Sequence, residues 1–204
     1  MPGISRSTWG IDVPEIFGSK STDTVSDLGG ISGRPVKKND VILVKSHTYT
    51  SKKISGRRVP SDLIPVYSTQ VSARVVLGPQ SNAFTNDGLA TFLNSWYTVS
   101  PQSDRMACRL EGPEIHHKSG ADIASEGMFW GAVQVPENGL PILFQVGRSS
   151  VGGYTKIAGV IAVDLPLIAQ LKPGDYIRFE EVSLQEAHDS YTRQEGMFHC
   201  LTLA

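Results

Sequence analysis

Apolar runs in this sequence are short, and glycine and proline residues bound them. The 204 residues include 20 glycines and 12 prolines, which are dispersed along the chain. Both residue types interrupt helices and end strands, so short apolar segments between them are typical of a β protein. We therefore predict a mainly β fold with few, short helices. Since 40% of the residues are hydrophobic, the chain can bury one good core or two small ones.

Eight segments have the composition of strands. They are Val41–Val44, Ser72–Leu77, Tyr97–Ser100, Ala107–Glu111, Ala132–Val135, Ile142–Val146, Lys156–Val163 and Tyr176–Val182. Ile142–Val146 is apolar almost throughout, which predicts that this strand is buried on both faces.

Helical periodicity is confined to three places. The clearest predicted helix runs from Asp87 to Trp96, with apolar side chains at i, i+3, i+4 and i+7 and a cap at Thr85 or Asn86. A short helix is predicted after Asp164, and a third from Ser183 to Glu195. Their apolar faces comprise Leu89, Phe92, Leu93 and Trp96 in the first, Leu165, Ile168 and Leu171 in the second, and Leu184, Ala187 and Tyr191 in the third.

The chain contains an internal echo. Residues 36–44 (VKKNDVILV) and 171–179 (LKPGDYIRF) each have an apolar residue, a tight polar turn that ends in Asp, and an apolar segment. The echo suggests two related β units that finish alike. We predict the end of a first subdomain over 1–44, a linker over 45–70, a complete second subdomain over 71–183, and a C-terminal helix and tail over 184–204. The first unit has about one strong strand, so we expect residues before Met1 or another chain to complete it.

Bulk properties narrow the functional classes. The net charge of −1 provides no global field to attract nucleic acid or an anionic membrane. No apolar run reaches membrane-spanning length, and no apolar signal core follows Met1, so a cytoplasmic location is expected. Cys108 and Cys200 lack metal-ligand spacing and fit a reduced pair.

Three blocks concentrate side chains that can do chemistry. They are SDRMACRLEGP at 103–113, SEGMFWGAVQVP at 125–136 and GGYTKI at 152–157. Together they bring charged groups, a carboxamide and exposed backbone amides close to predicted strand ends. A site for a small carboxylate or amide needs these groups.

Arg105 is the first catalytic candidate, since a guanidinium group can clamp a carboxylate through two parallel hydrogen bonds. The alternative is a structural ion pair with Asp104 or Glu111. Ser103 and Ser125 are candidate substrate contacts.

Glu126 and Gln134 are the other catalytic candidates. Glu126 in a loop tip can act as a base or as an orienting group, and the alternative is a solvated glutamate in a turn. Gln134 faces opposite to its valine neighbours, so it points either to solvent or into a barrel mouth, where its amide binds a urea-like or lactam group. We favour the site for both residues.

The third block supplies candidate substrate contacts. Gly152 and Gly153 allow backbone N–H groups to approach an anion closely, Tyr154 offers a phenol, and Lys156 a positive charge. The alternatives are a turn entering a strand and a half-buried aromatic ring. For Lys156 a structural role is favoured.

Two tempting patterns are rejected. His116 and His117 are adjacent, so their side chains point to opposite sides of a strand and do not share a metal ion. The glycines at 147 and 152 have the spacing of a phosphate loop, but Gly153-Tyr154 follows instead of Lys-Ser or Lys-Thr. We expect no metal, and any ATP has to be bound by a partner or by another architecture.

The blocks resemble the biotin-dependent carboxyltransferase family. This family includes the 5-oxoprolinase C-subunit proteins (KipA-like, formerly allophanate hydrolase subunit 2) and the carboxyltransferase domain of urea carboxylase. The resemblance runs from about Gly10 to Glu186 and takes in GSKSTD at 18–23, GGISGRP at 29–35 and LGPQ at 77–80. It implies two cyclophilin-like β-barrel subdomains, which agrees with the internal echo.

The chain departs from the family pattern in two ways. Family members carry a further N-terminal segment. Where they have an acidic residue, an amide and a hydroxyl, this chain has Gly147, Ser149 and Val151. The resemblance thus implies a part of the family protein with altered substrate choice or a decayed site.

The resemblance implies two functions. The first is an enzymatic role in a complex that opens 5-oxoproline with ATP, or that moves a carboxyl group from carboxybiotin on another protein to urea. Arg105, Gln134 and the Gly152-Gly153 amides are then the donors that stabilise an oxyanion. The second is a non-catalytic module that binds a KipI-like protein of the 5-oxoprolinase B-subunit type.

Overall fold

The computed structural model describes residues 10–44 and 58–203. It divides into two compact units, Met1–Arg58 and Val59–Ala204. In the described residues, no helix is long and apolar enough to cross a membrane. The predicted subdomain and linker boundaries stay a prediction, and half of the predicted linker, residues 45–57, lies outside the described residues.

The second unit is built around a closed barrel. Its strands in the described residues are β1 (Gln70–Leu77), β2 (Tyr97–Val99), β3 (Ala107–Glu111), β4 (Asp122–Gly127), β5 (Ala132–Gln134), β6 (Ile142–Phe144), β7 (Val151–Tyr154), β8 (Lys156–Val160) and β9 (Tyr176–Glu181). The order around the barrel is β1-β8-β5-β6-β3-β2-β9, and β9 closes it by pairing parallel to β1. β4 and β7 form a separate two-stranded sheet. The predicted mainly β fold is confirmed.

Alternating side chains fill the barrel. Alternate residues are buried over most of β1 and β9, namely Val71, Ala73 and Val75 in β1 and Ile177 and Phe179 in β9, as expected for strands with one face on a core. Phe179 of β9 stacks on Phe92 at 4.5 Å between ring centroids. Phe92 belongs to α1 (Asn86–Asn94), so the helix caps the barrel through this aromatic pair.

The predicted helices are present with shifted ends. The Thr85 hydroxyl caps α1 by accepting from the Gly88 N–H at 2.9 Å. Trp96 lies beyond α1 and is 42% exposed, with the Arg178 guanidinium 5.2 Å from its ring centroid. The other helices are α2 (Leu165–Ile168) and α3 (Leu184–Leu203). The predicted end of α3 at Glu195 is wrong by two turns.

Seven of the predicted strands match barrel strands to within about three residues. Val41–Val44 does not form a strand, because only Val44 makes a bridge, to Ile11, and a strand without a continuous partner is not stable. Burial of Ile142–Val146 on both faces is also wrong, since Val146 is 69% exposed. β4 and β7 were not predicted, because neither has an alternating apolar pattern.

The two similar segments, 36–44 and 171–179, share the same type of turn. The Asp40 N–H donates to the Lys37 carbonyl at 3.1 Å, and the Asp175 N–H donates to the Lys172 carbonyl at 2.9 Å. The carboxylate of each Asp accepts back from the N–H of the lysine, at 2.7 and 2.8 Å. The third turn positions, Asn39 and Gly174, have φ of +75° and +91°, which a type II turn requires.

A buried carboxylate ties two elements of the second unit together. Asp164 follows β8, and its two oxygens accept from the Arg74 guanidinium at 2.6 and 3.0 Å and from the Arg74 N–H at 2.8 Å. The Asp164 side chain is 6% exposed and that of Arg74 is 39% exposed. Removing the carboxylate leaves three donors of β1 without their partner.

We expect Asp164→Ala to lower the free energy of unfolding by about 3 kcal/mol, because a buried acceptor of charged and backbone donors is lost. Urea denaturation of the full chain measures this. Asp189→Ala on the exposed face of α3 is the matched control, with an expected loss of less than about 0.5 kcal/mol. Equal losses in the two variants would contradict the assignment.

Candidate functional site

Lys156 is a buried lysine in the barrel wall. Its side chain is 2% exposed, and its Nζ lies 2.5 Å from Oε1 of Glu126, whose side chain is 42% exposed. A buried ammonium group is strongly disfavoured without a counter-charge. The ion pair therefore stabilises the ammonium group inside the barrel wall, while the Glu126 carboxylate remains accessible to solutes.

A β-bulge sets the direction of Lys156. In the pairing of β5 with β8, Val133 lies opposite Ala158 and Gln134 lies opposite Lys156. Ile157 is the extra residue between these two pairs, so Lys156 and Gln134 share the face opposite to the core. Bulges commonly redirect a side chain in this way beside functional sites.

The β4–β7 sheet covers this outer face. Gln134 Nε2 donates to the Tyr154 carbonyl at 2.9 Å, and Gln134 is only 2% exposed. A Cβ atom at Gly152 would lie 2.7 Å from Gln134 Nε2 and 3.0 Å from Met128 Sδ. Gly152 is therefore needed for the close approach of β7 to the barrel. The solvent-facing alternative for Gln134 does not hold.

Gln80 completes the arrangement. Its Nε2 donates to Oε1 of Glu126 at 2.8 Å, and its Oε1 accepts from the Lys156 N–H at 3.2 Å. We call Lys156, Glu126, Gln80 and Gln134 the Lys156 cluster. In the sequence Gln80 is the last residue of the LGPQ motif, and its place three residues after the end of β1 is the signal that could have identified it.

The electrostatics of the cluster define what Glu126 can do. The hydrogen bond from Lys156, then the one from Gln80 and the positive charge of Lys156, hold the pKa of Glu126 below its usual value. A carboxylate with a lowered pKa is a weak base but a good hydrogen-bond acceptor. Of the two roles predicted for Glu126, this geometry favours the orienting group. Glu126 lies in β4 and not at a loop tip.

The remaining residues of the third block lie in β7, not in a turn. Gly152 pairs with Glu126, so both glycines are part of a strand ladder. Ser125 Oγ would lie 3.4 Å from a Cβ at Gly153, and Tyr154 is 40% exposed. Ser125, Gly152, Gly153 and Tyr154 thus surround the Lys156 cluster, and their substrate contacts stay predictions.

Arg105 and Ser103 line a cavity that is separate from the Lys156 cluster. Arg105 lines a cavity of about 200 Å³ whose walls also include Ser103, Cys108 and Gln145 and contain no member of the Lys156 cluster. We call it the Arg105 cavity. The Ser103 hydroxyl accepts from the Arg109 N–H at 3.0 Å and donates to the Arg109 carbonyl at 3.2 Å. The predicted grouping of Arg105 with Gln134 at one oxyanion is not seen in these contacts.

The loop between β6 and β7 contacts both the segment that contains Arg105 and the segment next to the Lys156 cluster. At its start, the Gly147 N–H donates to the Arg105 carbonyl at 3.1 Å. Further along, Arg148 Nε donates to the Met128 carbonyl at 3.1 Å, just after β4. This loop contains Gly147 and Ser149.

His117 contacts other groups of the protein. His117 Nε2 lies 3.0 Å from the Thr155 hydroxyl, and the ring packs on Phe84 at 4.5 Å between centroids, with an angle of 36° between the two rings. Burial lowers the pKa of His117, which favours the neutral ring. In the described ranges no group of three or more His, Cys, Asp or Glu side chains is placed to hold a metal ion.

Comparison with known proteins agrees with this architecture. A sequence model of the carboxyltransferase domain, subdomains A and B, matches residues 7–181. The 5-oxoprolinase C-subunit of Escherichia coli (strain K12) is 32% identical over 192 residues, which cover 94% of this chain and 60% of that protein. The corresponding C-subunit of Haemophilus influenzae is 32% identical over 179 residues, covering 87% and 55%.

A solved structure supports the fold. The crystal structure of the K. lactis urea amidolyase superposes with a TM-score of 0.80 at 26% identity, over 92% of this chain and 12% of that protein. The chain spans between half and two thirds of the length of the two 5-oxoprolinase relatives. The predicted family resemblance is confirmed.

The ion pair predicts an acid-dependent loss of stability. The pKa of Glu126 is lower in the folded than in the unfolded chain, where it is about 4.3, so the unfolded chain binds more protons below neutral pH. The stabilisation is complete above that pKa and is lost as the pH falls through the folded value. Urea denaturation between pH 7 and pH 2 should show that Glu126→Gln is less stable than wild type at pH 7, with the difference vanishing in acid. Lys156→Met should show a smaller acid loss than wild type, and an identical one would disprove the linkage.

Proposed function

Because this chain belongs to the carboxyltransferase family with subdomains A and B, we propose that it acts on a small amide or lactam within a larger assembly. The two candidate reactions are ATP-dependent opening of 5-oxoproline and biotin-dependent carboxylation of a urea-like amide. The support is that its relatives include 5-oxoprolinase C-subunit proteins and the urea amidolyase.

The Lys156 cluster is the observation that carries the proposal. An amide has an N–H to donate and a carbonyl oxygen that gains negative charge when the group reacts. The exposed carboxylate of Glu126 accepts from the N–H and orients the substrate. The Lys156 ammonium, buried behind this carboxylate, holds it in place and adds positive charge near the oxygen that gains negative charge, and such preorganised groups are most effective where water is excluded.

Cofactors and partners belong to the same proposal. The chain lacks the Lys-Ser/Thr of a phosphate loop after Gly152, so ATP is bound elsewhere in the complex. If biotin is used, carboxybiotin arrives on another protein. A KipI-like protein of the 5-oxoprolinase B-subunit type is the proposed partner. A cytoplasmic location is supported by Cys108 and Cys200, which are both free.

A non-catalytic binding module is the second candidate. It is favoured by the family resemblance, which implies an acidic residue and an amide where the loop between β6 and β7 has Gly147 and Ser149. A partner that binds without turnover by the complex would identify this function.

The catalytic proposal predicts the effect of Lys156→Met in the assembled complex. Loss of the ammonium group should lower kcat by about a hundredfold or more, while the apolar replacement keeps the wall folded. Product formation from 5-oxoproline with ATP, and from urea with carboxybiotin, measures this after co-expression with the partner proteins. The matched control is Lys172→Met, an exposed lysine, which should retain wild-type turnover. Wild-type activity in Lys156→Met would refute the role of the cluster.

The substrate class predicts which ligand stabilises the chain. A ligand at a hundred times its Kd adds about 2.7 kcal/mol to the free energy of unfolding, which a thermal melt detects. We expect a higher Tm with 5-oxoproline or urea, and little change with ATP or biotin. A shift with ATP alone would place the nucleotide on this chain and contradict the assignment to a partner.

A further inference from the structure

Gln80 reaches the Lys156 cluster from a turn that follows β1. The Gly78 N–H donates to the Ile157 carbonyl at 2.7 Å, which holds the start of this turn against β8. The Gln80 carbonyl then accepts from the Ala83 N–H at 2.9 Å. Because the backbone is held on both sides of Gln80, its half-buried side chain is directed into the cluster.

The neighbours of Gln80 fix the orientation of its amide. Its Oε1 lies 3.2 Å from the N–H of Lys156, which is a donor, and its Nε2 lies 2.8 Å from Oε1 of Glu126, which is an acceptor. The reverse orientation would place an NH₂ group against an N–H group and an oxygen against a carboxylate. Gln80 therefore presents a donor to Glu126 whenever that carboxylate is ionised.

The two donors of the cluster meet the same oxygen of Glu126. Oε1 accepts from the Lys156 ammonium at 2.5 Å and from Gln80 Nε2 at 2.8 Å. Within residues 10–44 and 58–203, Oε2 makes no hydrogen bond, and the Glu126 side chain is 42% exposed. An ionised carboxylate can accept at both oxygens. The protein thus holds one oxygen, and the other remains accessible to a solute.

We propose that Gln80 is a positioning residue: together with Lys156 it holds Oε1 of Glu126, so that Oε2 is the atom that accepts from the substrate N–H. An ammonium group binds as a point charge without a preferred plane, so Lys156 alone leaves the carboxylate free to rotate. The second donor, at a fixed angle, removes this rotation. Misplacement of a group that contacts the substrate by about 1 Å can cost about a hundredfold in rate.

This inference rests on the proposed function for its substrate and deepens it by giving the two oxygens of Glu126 separate tasks. The charged group that lowers the pKa of Glu126 is Lys156 of β8, through the largest hydrogen-bond contribution, and the hydrogen bond from Gln80 comes second. Loss of the Gln80 donor should therefore raise the pKa of Glu126 towards its unfolded value. Because acceptance by Oε2 needs the ionised carboxylate, the acid limb of the pH profile of kcat/KM should move to higher pH.

The test is the pH dependence of kcat/KM in the assembled complex, with 5-oxoproline and ATP or with urea and carboxybiotin. Gln80→Met removes both contacts and should lower kcat/KM at pH 7 at least about tenfold, with the acid limb at higher pH. Gln80→Glu keeps an acceptor for the Lys156 N–H but places a second carboxylate beside Glu126, so its limb should lie higher still. Gln80→Glu also decides the question if Gln80→Met does not fold. An unmoved limb in the folded variants, as expected for a residue that only supports the turn, overturns the proposal.

Gln70→Met is the matched control, because Gln70 is an exposed glutamine at the other end of β1. It should keep wild-type kcat/KM and an unmoved acid limb.

Glu126→Gln tests the task of Oε2. The donors of Lys156 and Gln80 keep the oxygen of the new amide on the inner side, so an NH₂ group takes the place of Oε2 and faces the substrate N–H. This variant should lose at least about tenfold in kcat/KM. Wild-type kcat/KM in Glu126→Gln would show that Oε2 does not accept from the substrate.

A ¹³C NMR titration of the Glu126 carboxyl group in the full chain separates this inference from the proposed function, because it needs no turnover. A higher pKa of Glu126 in Gln80→Met than in wild type supports the contact of Gln80 with Oε1, and an equal pKa overturns it. Wild-type turnover in Lys156→Met, with that shift present, would refute the proposed function and leave Gln80 as a positioning residue of Glu126. Loss of turnover in Lys156→Met with unchanged kinetics in Gln80→Met would refute the inference alone.

Discussion

A lysine ammonium group buried in a barrel wall is the constraint on which the site depends. Lys156 is stable there only with a counter-charge, and the barrel strands beside it do not supply one. Glu126 comes from β4, so the ion pair holds the β4–β7 sheet against the outside of the barrel. The same contact lowers the pKa of Glu126 and orients its carboxylate. One ion pair therefore fixes both the position of the β4–β7 sheet and the properties of the Glu126 carboxylate.

The barrel strands could be predicted because each depends mainly on its own residues. Segments such as Ala107–Glu111 alternate and end at turn residues, and the polar turn before Asp175 encodes its own geometry through Gly174. β4 and β7 carry polar residues and glycines instead. β4 and β7 pair with each other and contact Gln134 and Lys156 of the barrel. Pairing between segments that are far apart in the sequence leaves no local periodicity from which these strands could be predicted.

The candidate site was predictable in residue type but not in arrangement. Glu126, Gln134 and Lys156 could be chosen because amide chemistry needs a carboxylate, a carboxamide and a cation. Their meeting depends on one extra residue, Ile157, in β8, and no composition rule indicates a bulge at that residue. Gln80 contacts Glu126 and Lys156 from a segment that is far from both in the sequence. Its membership of the cluster therefore could not be predicted from composition either. The sequence motifs group Arg105 with them, whereas in the structure Arg105 lines a different cavity.

The buried ammonium group of Lys156 and the buried carboxylate of Asp164 are both paired within the protein. Buried charged groups are costly when unpaired. Because Lys156 is already paired, the Lys156 cluster is complete before a substrate arrives, which is the preorganised state that charge stabilisation requires. The ion pair that stabilises the β4–β7 sheet on the barrel therefore also prepares the candidate site.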